Sequence, residues 1–266
     1  MKTEKQFEGK SILITGGAGE IGLATAIRFA EEGAAIALLD INEEGLKVGK
    51  KRLDSYAVRV ETYVCDVSIY SLVKKMVDRV AADFSGIDYL FNNAGYQGLF
   101  KKIHEYPIED FDKVIRINLN GAFYILRAVS EHMTVQKKGC IVNNASMAGV
   151  DGPPNMAAYG ASKFGIIGIT QTAAKDLAPY NIRVNAISPA FMGPGSMWEK
   201  QVRLQAEAGS QYFSSDSKTV AEQMIGSVPM RRYGNINEIP GTVVFLMSDD
   251  ASYITGVNIP ISGGIR

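Results

Sequence analysis

Short apolar runs alternate along the chain with longer segments in which apolar residues return every three or four positions. The pattern predicts strands over residues 11–15, 35–40, 56–64, 87–91, 140–146, 181–187 and 256–260. Helices are predicted between them, over 23–32, 42–53, 69–84, 109–136 and from 157 to at least 174. Strands this short, alternating with helices of ten or more residues, specify a parallel sheet covered on both faces, an α/β doubly wound fold. Between residues 191 and 229 the rhythm changes, and Met192, Met197, Trp198, Phe213 and Met224 stand scattered among polar and charged positions.

The first strand, Ser11-Ile-Leu-Ile-Thr15, runs directly into Gly16-Gly-Ala-Gly-Glu-Ile-Gly22 and then into a helical pattern. Strand, glycine-rich turn and helix N-terminus together present main-chain N–H groups to a pyrophosphate, so the sheet is expected to be Rossmann-type. Asp40 ends the second strand, where a carboxylate accepts hydrogen bonds from an adenosine ribose diol. Its charge repels a 2′-phosphate and Ile41 brings no counter-charge, so NAD is expected rather than NADP. Asp66 has two readings, as acceptor for an adenine amino group or as cap of a helix starting near Ser68. The fourth strand empties into Asn92-Asn-Ala-Gly95, whose small residues and amides admit a flat ring or ribose; a plain turn uses the same residue types.

Tyr159 and Lys163 stand four residues apart and share one face of a helix. A free phenol titrates near pH ~10 and is a weak base at neutrality. A neighbouring ammonium favours the phenolate, and such a pair moves a proton on or off a substrate oxygen. Ser146 ends the fifth strand and has two readings: a turn or cap residue, or a hydroxyl that a loop over 149–156 brings together with that of Tyr159 on one oxygen. Asn118, inside the 109–136 stretch, is either satisfied through a helix irregularity or holds a water beside the lysine. Trp198 either packs against the body or touches the substrate.

With 266 residues the chain is long enough for one full α/β core, read as a single catalytic domain over 1–266. Basic and acidic residues number 28 each, which argues against nucleic acid or an anionic membrane as partner. No apolar run reaches spanning length, and the first ten residues are polar, unlike a signal peptide. Cys65 and Cys140 lie in apolar runs and are expected as free thiols in a reducing, cytoplasmic compartment. The two histidines, His104 and His132, are far apart in the chain and no metal site is expected.

Taken jointly, the glycine-rich turn, Asn92-Asn-Ala-Gly95, Tyr159-Gly-Ala-Ser-Lys163, Asn185-Ala-Ile-Ser-Pro189 and Thr255-Gly-Val257 resemble the short-chain dehydrogenase/reductase family over almost the whole chain. The resemblance implies a catalytic tetrad of Asn118, Ser146, Tyr159 and Lys163. In that arrangement Ser146 polarises the substrate oxygen and Tyr159 exchanges its proton. Lys163 lowers the tyrosine pKa and holds ribose hydroxyls, while Asn118 carries a water. Cofactor contacts are implied for Gly16, Glu20 and Ile21 in the turn, and for Asp40, Asp66, Val67 and Asn93 beyond it. Tyr159, Lys163, Pro189 and Met192 complete that set. The domain then divides into a mainly dinucleotide-binding half (11–95), a catalytic half (109–189), a substrate lid (190–230) and a closing helix and strand (237–266). Two positions depart from the family pattern. Glu20 stands where a second glycine is usual, and Ala190-Phe-Met192 lacks the threonine that contacts the nicotinamide amide.

Asn93-Ala-Gly-Tyr-Gln97, Ala145-Ser-Met-Ala-Gly149 and Gly152-Pro-Pro-Asn-Met-Ala-Ala-Tyr159 further resemble the family's NAD-dependent xylitol-oxidising members, as do 188–198 and 227–233. This implies interconversion of a secondary alcohol and a ketone, with a polyol such as xylitol going to D-xylulose. Ser146, Gln97, Met147, Asn155, Tyr159 and Trp198 would then meet the substrate. The alternatives are a reductase of a small cyclic or steroid-like ketone and an inactive nucleotide-binding regulatory protein. The resemblance also implies a homotetramer, with the helices over 109–136 and 162–178 at one interface.

Overall fold

A computed structural model describes residues 5–265. Its centre is seven parallel strands: β1 (Ser11–Thr15), β2 (Ala35–Asp40), β3 (Val60–Val64), β4 (Tyr89–Asn92), β5 (Gly139–Asn144), β6 (Ile182–Pro189) and β7 (Asn258–Ile261). Their order is β3-β2-β1-β4-β5-β6-β7. β1 therefore pairs on both sides, Thr15 lying opposite Leu39 of β2 and Ile14 opposite Phe91 of β4. The chain reverses its winding direction between these strands, and open sheets of this kind form their ligand cleft outside the carboxyl ends at that point.

The helices are α1 (Glu20–Glu31), α2 (Glu43–Leu53), α3 (Tyr70–Phe84), α4 (Ile108–Ile115), α5 (Gly121–Gln136), α6 (Ala157–Leu177), α7 (Ser196–Glu207), α8 (Ser217–Ser227) and α9 (Ile239–Met247). Successive strand residues point to opposite faces, so continuous apolar runs bury on both. Ile12, Ile14 and Leu38 pack with Phe29 of α1 and Val243 of α9. Leu13, Ala37 and Leu39 pack with Val77 of α3 and Val129 of α5. A third, smaller cluster joins α7 to α8 through Trp198, Val202, Val220 and Met224. It lies in the segment expected from the sequence to be a substrate lid and is separate from the clusters on both sheet faces.

Several boundaries differ from the sequence pattern, each for a local reason. α1 begins at Glu20, since the glycine turn leads into the helix without a linker. β3 begins at Val60 because Tyr56 and Val58 spend their N–H groups in tight turns on Leu53 O and Tyr56 O. β7 begins at Asn258, after Gly256 turns with φ 78°. The 109–136 stretch is two helices joined by a π turn, Arg116–Asn120, in which Gly121 N–H reaches back to Arg116 O. Such a widened turn is found most often at functional sites, and here it carries Asn118. Both cysteines are free and buried. No described helix is long and apolar enough to cross a membrane, and no described His, Cys, Asp and Glu residues cluster as metal ligands. Residues 1–4 of the polar start lie outside the described residues.

Candidate active site

A cleft of about 500 Å³ runs along the carboxyl edge of the sheet from Asp40 to Pro189, beneath α7. Its nucleotide end is built on glycines. Gly16 takes φ 65°, and a Cβ there would sit 2.8 Å from Asn93 Nδ2. A Cβ on Gly22 would overlap Gly16 O, so only glycine lets α1 start so close under the turn. The α1 N-cap, Gly19, offers no side-chain acceptor to the first-turn N–H groups. A helix start with free N–H groups and no side chain in front of it suits an anion. Asp40 accepts from Ala18 N–H at 3.1 Å and Asn42 N–H at 2.9 Å, which holds its carboxylate at the cleft edge. These residues fit a dinucleotide whose adenosine ribose lies at Asp40.

Glu20 also borders the cleft, but its carboxylate turns toward the lid. Oε1 accepts from Ser196 N–H at 3.3 Å and stands 3.4 Å from Ser196 Oγ, at the start of α7. The acid in the glycine turn thus ties turn to lid. Asn93 secures the cleft floor: Nδ2 donates to Thr15 O at 3.0 Å, and Oδ1 accepts from Asn144 Nδ2 at 2.8 Å. Asn144 Oδ1 is the buried side-chain oxygen left without a partner among the described residues.

β5 stops at Asn144, so Ser146 stands two residues past the strand. There its Oγ caps a short turn by accepting from Ala148 N–H at 3.2 Å, and with Tyr159 and Lys163, brought up by α6, it lines the cleft. Gly165 allows this approach, since a Cβ there would meet Leu119 of the π turn at 2.8 Å. Lys163 is buried, donates from Nζ to Asn144 O at 2.7 Å, and lies 5.5 Å from the Tyr159 ring centre. Burial pulls its pKa down to about 8. Burial likewise pushes the Tyr159 phenol above its ordinary value, and a hydrogen bond with Ser146 works in the opposite direction. Desolvation, rather than the lysine charge, is the largest influence on the phenol.

Asn118 is fully buried behind this group and does not line the cleft. Oδ1 accepts from Tyr96 N–H at 2.7 Å, while Nδ2 donates to Tyr96 O at 2.8 Å and Ser162 Oγ at 3.0 Å. The side chain clamps the Tyr96 loop to α6, with its donors and acceptor engaged. Four further expected contacts also lie off the cleft. Asp66 Oδ1 accepts from Ser68 N–H at 2.9 Å, a turn leading to α3, which starts at Tyr70. Val67 is buried against Gly121. Trp198 neither packs on the body nor lines the cleft: it is buried in the α7–α8 cluster between Phe191 and Tyr233, with ring centres 6.0 and 5.3 Å away. Asn155 is buried as well, with its amide directed to the lid. Gln97, Met147, Pro189 and Met192 do line the cleft, as do Ile21 and Asn93. Ala190 N–H is committed to Ile261 O at 3.0 Å and is not free for a ligand.

Comparison with known proteins agrees with this geometry. The family described as Enoyl-(Acyl carrier protein) reductase matches residues 16–266. The levodione reductase of Leifsonia aquatica is 38% identical over 261 residues, covering 97% of this chain and 95% of that one. The chain is a short-chain dehydrogenase/reductase. A 3-oxoacyl-[acyl-carrier-protein] reductase of Thermotoga maritima is also 38% identical, over 98% of this chain and 99% of its own. Among solved structures, an NAD+-bound xylitol dehydrogenase is 63% identical with a TM-score of 0.97, covering 98% of this chain and all (100%) of its own. The crystal structure of a levodione reductase follows at 38% identity and a TM-score of 0.91, covering 97% and 98%. This dehydrogenase/reductase also has cleft residues that the sequence pattern did not single out, Gln201 and Gln205 of α7. Their spacing of one helical turn was the available signal, but only the docked lid shows which face of α7 looks inward.

Proposed function

We propose that this chain is an NAD-dependent dehydrogenase that interconverts a polyol of the xylitol type and its ketose. The observation that carries the reading is the shared cleft. A glycine cradle and Asp40 lie at one end, and Ser146, Tyr159 and Lys163 at the other. Bound NAD supplies the hydride acceptor. The chain's own residues handle the proton: Ser146 orients the substrate oxygen, Tyr159 takes its proton in oxidation and returns it in reduction, and Lys163 links the phenol to the cleft floor. Gly16, Ile21, Asn93, Pro189 and Met192 shape the cofactor side, and Asp40 selects against a 2′-phosphate. Gln97 and Met147 border the substrate side. The xylitol dehydrogenase at 63% identity supports the substrate class. A second reading, reduction of a cyclic ketone, draws on the apolar lid side chains Phe191, Met197 and Phe213 in the same cleft and on the levodione reductase relative.

The half-exposed Phe123 of α5 and Phe164 of α6 support a homotetramer built on those helices. Two buried free thiols suit a cytoplasmic setting. The deciding experiment follows NADH absorbance with NAD or NADP against xylitol, other polyols and cyclic alcohols, for wild type and Tyr159→Phe. Oxidation of xylitol with NAD, falling about 10²–10⁴-fold in the variant while NAD binding persists, is expected. Turnover confined to cyclic alcohols would move the substrate to the second reading, and an active Tyr159→Phe would remove the proton role.

A further inference from the structure

Helix α7 carries Gln201 and Gln205 one turn apart, and both side chains border the cleft. Gln205 is only 2% exposed. A primary amide buried to this extent is stable only where its polar atoms find partners. Its Oε1 accepts from Asn155 Nδ2 at 2.9 Å. Asn155 is itself immobilised. Its Nδ2 also donates to Ser210 Oγ at 3.0 Å, its carbonyl accepts from Lys101 N–H at 2.9 Å, and its backbone holds φ 69°. A fixed donor on the Gln205 acceptor orients the whole amide, leaving Nε2 as the free end. Among the described residues Nε2 has no protein acceptor, and it is absent from the fully buried atoms lacking partners. Nε2 therefore keeps some accessible surface, and Gln205 lines the same cleft as Ser146 and Tyr159.

We propose that Gln205, oriented by Asn155, is a specificity-determining residue that donates a hydrogen bond to a second substrate oxygen, on a carbon other than the one oxidised. Ser146 and Tyr159 take the reacting oxygen from the sheet side, and Gln205 reads another hydroxyl from the lid side. Gln201 adds a second amide one turn nearer the α7 N-terminus. Asn155 acts as a positioning residue, through the amide it turns. The inference rests on the proposed reaction at Tyr159 and narrows its substrate to alcohols bearing a further oxygen. It also accounts for a polar lid position among Met197, Phe213 and Met224: an apolar lid alone would not distinguish a polyol from a simple alcohol.

Matched substrate pairs test this: xylitol against a simple secondary pentanol, and a cyclic vicinal diol against cyclohexanol, with the corresponding ketones for reduction. Gln205→Glu keeps the volume and an oxygen for Asn155 Nδ2 but replaces the inward donor by an acceptor. It is expected to lower kcat/KM for the hydroxylated member about tenfold to a hundredfold, mainly through KM. The simple partner has no second oxygen to lose and should fall less, so the ratio of the two kcat/KM values is expected to drop about tenfold or more. Asn155→Asp provides a second route. Its carboxylate accepts from Gln205 Nε2, turns the amide around, and is expected to depress the same ratio. It also serves should Gln205→Glu fail to fold. Equal losses for both members of a pair, or no loss in either, would overturn the inference. Polyol turnover with an unaltered ratio removes the Gln205 role and leaves the polyol reading standing. A collapsed ratio for the cyclic pair in an enzyme inert to every polyol does the reverse.

Discussion

Lys163 illustrates how burial changes what a residue contributes. Its identity and its spacing from Tyr159 are plain in the sequence, but its charge state is not, because desolvation depends on everything packed around it. The folded lysine releases its proton near pH 8, against 10.5 for an unburied one. Between these values the unfolded chain binds more protons, so stability rises with pH through that window. Below it the full cost of burying the ammonium is present. The shift corresponds to about 3 kcal/mol, the net cost of keeping the amine charged in its buried site. Lys163→Met is therefore expected to be more stable than wild type at neutral pH, by up to about 3 kcal/mol. The gap should close as pH climbs from about 8 toward 10.5, as read by urea unfolding of both proteins. A gap that does not change with pH would contradict this assignment.

At the scale of elements, the π turn at Arg116–Asn120 shows a constraint that periodicity only hints at. The pattern over 109–136 fits one helix, apart from a polar Asn118 at a position the core should own. Of the two readings of Asn118, a helix irregularity is present at that position, and its reason is tertiary. The widened turn directs Asn118 onto the Tyr96 main chain and Ser162, so a loop that lines the cleft is held to the helix bearing Tyr159. Removing it leaves the Tyr96 N–H and C=O without partners. Asn118→Ala is expected to cost about 2–4 kcal/mol of stability, with turnover falling alongside. Tyr159→Phe, by contrast, should lose turnover alone. Urea midpoints measured beside activity separate the two, and an Asn118→Ala protein with wild-type stability would argue for a direct chemical role.

At the scale of the whole molecule, the lid is a separate packing unit. Trp198, the single tryptophan of the chain, sits in the small α7–α8 cluster rather than in either layer flanking the sheet. A unit with so few buried residues opens at lower free energy than the sheet. Its fluorescence is expected to change at lower denaturant than far-UV circular dichroism; coincident transitions would mean that lid and sheet unfold as one. The sequence by itself determined the alternation of strands and helices, the glycine turn, Asp40 and the Ser146, Tyr159 and Lys163 group. The alternation, the turn and Asp40 follow from local periodicity and turn chemistry, and the group from the Tyr159–Lys163 spacing together with the family resemblance. Only the tertiary structure decided that Asp66, Val67, Asn155 and Trp198 stand off the cleft, that Glu20 turns to Ser196, and that Gln205 faces inward. These outcomes depend on how the lid docks across a sheet formed by residues distant in sequence, and a linear pattern carries no record of which face of α7 that contact buries.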